Sequence, residues 1–573
     1  VSVLTAKMPL KTSFVELRAR DRAAAILDPG TFREILGPFD RLESPHLALQ
    51  NIVPQSDDGV VVARGLIAGE SAVVIVIEGA FQGGGIGEVS GAKIAGALEL
   101  ALRDNENGRR TRPVLIFDTG GVRLQEANYG LLAIAEIGSA IVALRRHIPV
   151  VGVIPGMVGC FGGMSIVAGL CSTLIMTREG RLGLNGPEVI EQEAGIREFD
   201  ASDRQLIWNT VGGAQRYATG FADVLVEDDV TAITGAVQEA FRRGVPVEHR
   251  SEQVERYRSR LAGIDPNKPL DGSMLRERWG RERGEGFEEP VKSQSGQEGQ
   301  TNDKGPVSRG RVWLEALCGG SRPVTTGLSS VLCADTTVGD ERVRFISVKP
   351  DPDNRFPRAR HGEVGLDEGW ALARVVRDAI DEDVDGKRRA IVAIVDVPSQ
   401  AYGYREELLG IHQACAAAMD AYATARLAGH PVVALIVGKA ISGAFLAHGL
   451  QANRILALDD PGVQVQVMSK KSAATVTRRS IAELEEMAKK VPGIAYDIRS
   501  FASLGAVDEL IDGVDADTPG VKEIQRVLDT LSTTIAAARS GPRDLSNRLT
   551  SVEARTGRSA SIQVRERMRE QWN

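Results

Sequence analysis

Residues Ile148–Thr177 read IPVVGVIPGMVGCFGGMSIVAGLCSTLIMT, a run without a single charge. It is long enough to cross a bilayer as one helix, but Pro149, Pro155, Gly156, Gly159, Gly162, Gly163 and Gly169 would break such a helix several times. The run divides instead into a buried strand (Val150–Ile154), a glycine loop, a buried helix and a further strand (Thr173–Met176). Upstream, Ala72–Ile77 and Val114–Phe117 are strands of the same kind. Between the strands, Gly91–Arg103 and Tyr129–Arg145 carry apolar residues at the three and four spacing of buried or amphipathic helices. This alternation is α/β.

The 573-residue chain, 43% hydrophobic and 25% charged, is too long for one core. From about residue 282 to 310 apolar periodicity gives way to Gly, Ser, Gln, Asp, Glu and Pro, the composition of a flexible linker. The expected organisation is a domain at 1–281, a linker at 282–310 and a domain at 311–573. The second half repeats the pattern, with strands at Val343–Val348, Ala390–Val395, Val432–Val437 and Arg454–Leu458. Its motifs echo the first half in order. Phe117-Asp-Thr-Gly-Gly121 matches Val395-Asp-Val-Pro398, His147-Ile-Pro-Val-Val151 matches His430-Pro-Val-Val433, and Gly162-Gly163 matches Ser442-Gly-Ala444. The glycine spacing slips slightly, so similar scaffolds are expected and superposable loops are not.

A glycine pair between a strand and an apolar helix leaves backbone N–H groups unpaired at a positive helix end, where they can receive negative oxygen. Prepositioned donors suit an oxygen that gains charge only in a transition state. Gly162 and Gly163 are the first candidate oxyanion pair, and Gly443 and Ala444 the second. Tight helix packing is the structural alternative for either pair. Cys160 lies beside the first pair, but with no base evident in the sequence it reads as a small buried side chain. The run Gly83-Gly-Gly-Ile-Gly87 fails GxGxxG in every register, because Glu88 or Ser90 takes the third glycine position. Five scattered cysteines suggest neither a disulfide framework nor a metal ribbon, and no metal site is expected. A net charge of -7 argues against broad capture of nucleic acid. Without a secretory signal, a cytoplasmic protein outside the membrane is expected.

The first half resembles the β-type carboxyltransferase domain of acyl-CoA carboxylases and decarboxylases. Gly83-Gly-Gly-Ile-Gly-Glu88 precedes a helix holding Lys93, Asp118-Thr-Gly-Gly-Val-Arg-Leu-Gln-Glu126 is similar to that family's SGGARMQE, and Gly186-Pro-Glu-Val-Ile-Glu-Gln192 to its GPRVIEQ. The second half resembles the α-type partner through Asp396-Val-Pro-Ser-Gln-Ala-Tyr-Gly403 and Gly438-Lys-Ala-Ile-Ser-Gly-Ala444. The order of the halves is that of the two decarboxylase subunits of the malonate decarboxylase family, here joined.

The resemblance implies two crotonase-like domains, each a superhelix of ββα units, that decarboxylate a malonyl thioester through an enolate without biotin. It further implies that malonyl arrives on a CoA-like phosphoribosyl-dephospho-CoA group of an acyl-carrier protein subunit, that an acyl-carrier transferase subunit is a further partner, and that a homo-oligomer is compatible. No cofactor is expected to be bound covalently to this chain. The substrate positions it implies are Gly84, Gly85, Gly120 and Gly121, with Arg123 for the diphosphate of the arm and Lys439 and Ser442 for the carboxylate end. Tyr402, Tyr404, His361 and His412 are proton donors by type, with none singled out. The competing readings are a biotin-dependent carboxyltransferase or decarboxylase of malonyl-, methylmalonyl- or glutaconyl-CoA, and a silent scaffold.

Overall fold

The computed structural model describes residues 11–280, 308–321 and 323–573. Most of the expected linker, 282–310, falls outside the described residues. Its last two positions, Arg309 and Gly310, do not behave as linker, because they open the helix Arg309–Cys318, capped by the Ser308 hydroxyl.

The expected strands form two sheets. In the first, β1 (Arg33–Ile35), β2 (Val60–Ile67) and β3 (Glu70–Ile77) are antiparallel neighbours. From β3 the sheet runs parallel through β4 (Arg112–Ile116), β5 (Val151–Ile154), β6 (Thr173–Thr177) and β7 (Val224–Val226). The second repeats the scheme. β8 (Val331–Val338) is antiparallel to β9 (Glu341–Val348), and β10 (Ala390–Val397), β11 (Val432–Ile441), β12 (Arg454–Leu458) and β14 (Glu509–Ile511) follow in parallel, with β13 (Gln464–Gln466) on the end of β11. The parallel strands are the continuous apolar runs of the sequence, since both their faces are covered. The hairpin partners β2 and β8 mix polar and apolar residues, and periodicity alone missed them.

Helices cover the sheets at matching places, Glu88–Glu106, Asn128–Leu144 and Gly163–Leu170 in the first half and Leu366–Glu382, Ile411–Leu427 and Ser442–Ala447 in the second. No helix among the described residues is long and apolar enough to cross a membrane. The uncharged run divides as expected into β5, a loop, the helix Gly163–Leu170 and β6.

The halves share one hydrophobic core. The helix Ile411–Leu427 is rich in alanine, and its small side chains let it approach the first half closely. A Cβ on Gly138 would lie 2.2 Å from Met419 Cε, and one on Gly169 would lie 2.8 Å from Ala416 Cβ. Charges cross the same seam where both partners are buried. Arg145 meets Asp420 at 2.6 Å, and Arg426 donates to the Ser139 hydroxyl at 2.8 Å. The carboxy-terminal helix Ser559–Gln571 returns to the first half, where Arg565 and Arg558 hold Glu136 at 2.8 and 2.7 Å.

Burial alone would raise the Glu136 carboxyl, but the two guanidinium groups outweigh it and hold it at about 2, below its ordinary 4.5. A depressed carboxyl stabilises the fold above its unfolded value and loses that contribution as pH falls through its folded value. The wild-type melting temperature is therefore expected to fall as pH drops from 4.5 towards 2. Glu136→Gln should show a flatter dependence in that window and a loss of about 3–5 kcal/mol near neutrality, measured by thermal unfolding across pH.

Candidate active site

Both strand-ends of the internal echo carry an aspartate, and each organises a glycine loop. Asp118 lies just past β4, where its Oδ1 accepts the N–H groups of Val158 (2.8 Å) and Gly159 (3.3 Å), while Arg22 donates to its Oδ2 at 3.0 Å. Asp396, near the end of β10, accepts the Lys439 N–H at 3.1 Å and the Gly310 N–H at 3.3 Å. These anchors bring the first-half loop and the second-half loop to one cavity of about 320 Å³. Its walls include Gly120, Val122, Gly162 and Gly163 from the first half and Gln400, Tyr402 and Ser442 from the second.

The two loops correspond more closely than their glycine spacing suggests. Gly162 sits at φ 58° immediately before the helix that begins at Gly163, and Ser442 sits at φ 57° immediately before Gly443. A positive φ is uncommon for a residue other than glycine, so the second loop reaches this angle without the residue that adopts it freely.

The available donors are not the ones the glycine pairs suggest. The Gly162 N–H is taken by the Leu184 carbonyl at 2.9 Å, the Gly120 N–H by the Gly83 carbonyl at 2.9 Å, and the Gly121 N–H by the Thr119 hydroxyl at 3.0 Å. Val122 and Gly163 N–H have no acceptor among the described residues, and both residues line the cavity. A Cβ on Gly162 would lie 3.8 Å from the Val122 nitrogen, so the two segments are in contact. The free donors at the first loop are therefore Val122 and Gly163, and of the expected pair Gly162 is already bonded. Gly120, Gly121 and Gly162 shape the approach. In particular, Cβ atoms on Gly121 and Gly162 would meet the facing Cα at 2.9 and 3.0 Å.

In the second half the Gly443 N–H donates to the Gln400 side-chain oxygen at 3.0 Å, so this expected donor is already occupied. The parallel bridges Ile86 to Val122 and Val364 to Gln400 place Gln400 where the first half has Val122. A polar side chain therefore fills the second loop where the first loop stays open. The Ala444 N–H has no acceptor among the described residues, but Ala444 is fully buried.

Arg123 is not a phosphate ligand. Its guanidinium is buried between Asp58 (2.5 Å) and Glu126 (2.6 Å), the structural ion pair that is the alternative for a motif arginine. Among the described residues the guanidinium that does line the cavity is Arg181, which lies over Phe161 and Trp208 and donates to the Met157 and Val158 carbonyls at 2.6 and 2.9 Å. Gly84 and Gly85 lie outside the cavity wall and pack against the Asp118–Arg123 segment, where a Cβ on Gly84 would fall 2.0 Å from the Asp118 carbonyl oxygen. Lys439 is exposed and does not line the cavity, whereas Ser442 does. Cys160 is buried and burial pushes its thiol far up, which fits a packing residue.

One residue without an assigned role in the sequence holds the halves in register at this point. Glu407 is buried at the end of the helix Tyr404–Leu408 and accepts three first-half donors. These are Leu184 N–H at 3.0 Å, Asn185 N–H at 2.7 Å and the Asn185 side-chain amide at 2.9 Å. Asn185 in turn accepts from the Gln400 amide at 2.9 Å. The chain Glu407, Asn185, Gln400, Gly443 thus crosses the seam along the cavity wall. Burial raises the Glu407 carboxyl to about 7, with Arg216 and the three donors opposing that rise.

Both halves of the chain are similar to known proteins. The carboxyl transferase domain family matches residues 16–284, and the malonate decarboxylase gamma subunit family matches residues 359–572. The chain is similar to the malonyl-S-ACP:biotin-protein carboxyltransferase MADC of Malonomonas rubra, 45% identical over 263 residues, which are 42% of this chain and 83% of that protein. It is also similar to MADD of the same organism, 40% identical over 183 residues, which are 31% of this chain and 63% of MADD. Among solved structures, a Pseudomonas malonate decarboxylase hetero-tetramer in complex with malonate is 58% identical over 47% of this chain and 98% of that one, with a TM-score of 0.47. The chain belongs to the carboxyl transferase domain family, and its residues 359–572 match the malonate decarboxylase gamma subunit family in the same polypeptide.

Removing the Glu407 carboxylate leaves three donors unpaired and Arg216 without its partner. Glu407→Ala is expected to destabilise the protein by about 3–5 kcal/mol and to lower turnover more steeply than Glu407→Gln, which keeps one acceptor oxygen. Thermal unfolding and turnover measured side by side check this, and unchanged values in both variants would remove Glu407 from the account.

Proposed function

We propose that this chain is the catalytic core of a malonate decarboxylase, converting a malonyl thioester on an acyl-carrier protein to the acetyl thioester and carbon dioxide. The observation that carries the reading is the pair of N–H groups without an acceptor, on Val122 and Gly163, two residues that line one cavity between the halves. The thioester oxygen would accept from both. As the bond between C2 and the carboxylate breaks, its electron pair moves into the enolate and charge gathers on that oxygen, where the fixed donors are most effective. One such donor is worth about 10²–10³ in turnover.

The reading brings with it the remaining partners: an acyl-carrier protein subunit presenting malonyl on a phosphoribosyl-dephospho-CoA arm, an acyl-carrier transferase subunit, and a cytoplasmic setting. It also keeps the division of the chain into a first domain to residue 281 and a second from 311. Arg181, on the cavity wall, replaces Arg123 as the cation nearest the incoming arm.

A second reading, transfer of the carboxyl group to a biotin protein, draws on the names of MADC and MADD. The occupied Gly443 donor supports release over transfer, because the second loop offers less to an incoming carbonyl oxygen. The two are separated by supplying malonyl-CoA or a malonylated carrier protein to the purified chain with avidin present and ATP absent. Release of carbon dioxide that avidin leaves unchanged is expected. Carboxyl transfer to added biotin in place of release would establish the second reading.

Gly163→Val tests the donor segment, with a structural cost built in. Its Cβ would point away from the cavity, 2.8 Å from Leu446 and 3.1 Å from Ile134, so overpacking of about 1–3 kcal/mol should accompany the loss of turnover. Calorimetry beside a turnover assay checks both parts.

A further inference from the structure

The cavity that holds the free donors is closed on one side by Tyr402, and a second cavity of about 300 Å³ lies behind the same residue. Among the described residues Tyr402 alone lines both. The second cavity is polar, with Glu193, Glu363, Ser472 and His361 on its wall, and the His361 side chain is 83% exposed, so it communicates with solvent. Tyr402 therefore stands between the cavity of the free donors and a second, solvent-connected one.

The Gln400 oxygen is committed to Gly443 N–H and one amide hydrogen of Gln400 to Asn185, which fixes that side chain beside Tyr402. Burial, with Glu193 nearby, pushes the Tyr402 hydroxyl up and keeps it protonated, while Gln400 works the other way.

The other candidate acids stand differently. His412 is buried with both ring nitrogens unpartnered and packs edge-on against Phe221, Tyr404 packs on Phe199, and Glu188 is exposed at the mouth. Neither His412 nor Tyr404 lines the cavity.

We infer that Tyr402 is the catalytic acid, giving its hydroxyl proton to C2 of the enolate left by carbon dioxide and taking a replacement from water in the cavity behind it. The O–H bond of Tyr402 breaks as the C–H bond of the acetyl group forms, the negative charge passes from enolate to phenolate, and a solvent proton restores the hydroxyl. Gln400 is the positioning residue. The inference rests on the proposed function for the identity of the carbanion, and proton exchange tests it apart from decarboxylation.

Run backwards, the same step exchanges the methyl protons of acetyl-CoA with solvent. The wild-type protein in D2O is expected to incorporate deuterium into acetyl-CoA, read by mass spectrometry. Tyr402→Phe should lower both exchange and decarboxylation by about 10²–10⁴-fold, with malonyl-CoA affinity and melting temperature close to wild type. Gln400→Leu, which keeps the tyrosine but not its partner, should lose part of the exchange. Exchange by Tyr402→Phe at the wild-type rate, or a wild type that decarboxylates without exchanging, would overturn the role of Tyr402. A wild type that exchanges but releases no carbon dioxide from any malonyl thioester would leave the acid in place and overturn the proposed function.

Discussion

The arrangement of this site depends on a buried carboxylate reaching from one half of the chain into the other. Glu407 takes the N–H groups of Leu184 and Asn185, so the segment that leads into Gly186-Pro187 is held by the second half. The Leu184 carbonyl then accepts the Gly162 N–H, which fixes the turn that leaves Gly163 exposed to the cavity. A buried carboxylate with three donors and a guanidinium nearby is costly to lose, because each partner left behind is itself buried. The two halves are consequently coupled along the cavity wall, and the small-residue packing around Gly138, Gly169 and Ala416 lets their backbones come close enough for it.

Duplication supplied two copies of one framework, and the copies have diverged in what their donors face. Gly163 keeps its N–H open, whereas the equivalent Gly443 is occupied by Gln400, a side chain standing where the first half has Val122. One loop is thus an open receiver for oxygen and the other part of a hydrogen-bonded wall. Ser442 takes at φ 57° the place that Gly162 takes at φ 58° in the first loop.

Much of the fold was legible in the sequence because buried parallel strands announce themselves as unbroken apolar runs, and β3, β5, β6 and β9 to β12 lie close to where those runs stand. The hairpin strands β2 and β8 were not, since each carries arginine, aspartate or threonine among its apolar residues. The glycine loops of the two halves do meet at one cavity. They did not identify the donors, because which N–H remains free depends on carbonyls distant in sequence, such as Leu184 and Gly83. Arg123 illustrates the same limit. Its motif suggested a phosphate, while Asp58, far upstream, decides that it is an internal ion pair. Asp118 and Asp396 were visible as paired strand-end residues, and that repetition was a usable signal for their anchoring role. Glu407 and Asn185 carried no such signal, as their partnership exists only across the seam.

The most direct test is a crystal structure of the protein with a stable acetyl- or malonyl-thioester analogue of CoA. The thioester oxygen is predicted to lie about 2.7–3.2 Å from both the Val122 and Gly163 nitrogens, inside the cavity between the halves. An analogue bound with that oxygen on the Gly443–Ala444 loop, or outside this cavity altogether, would contradict the account.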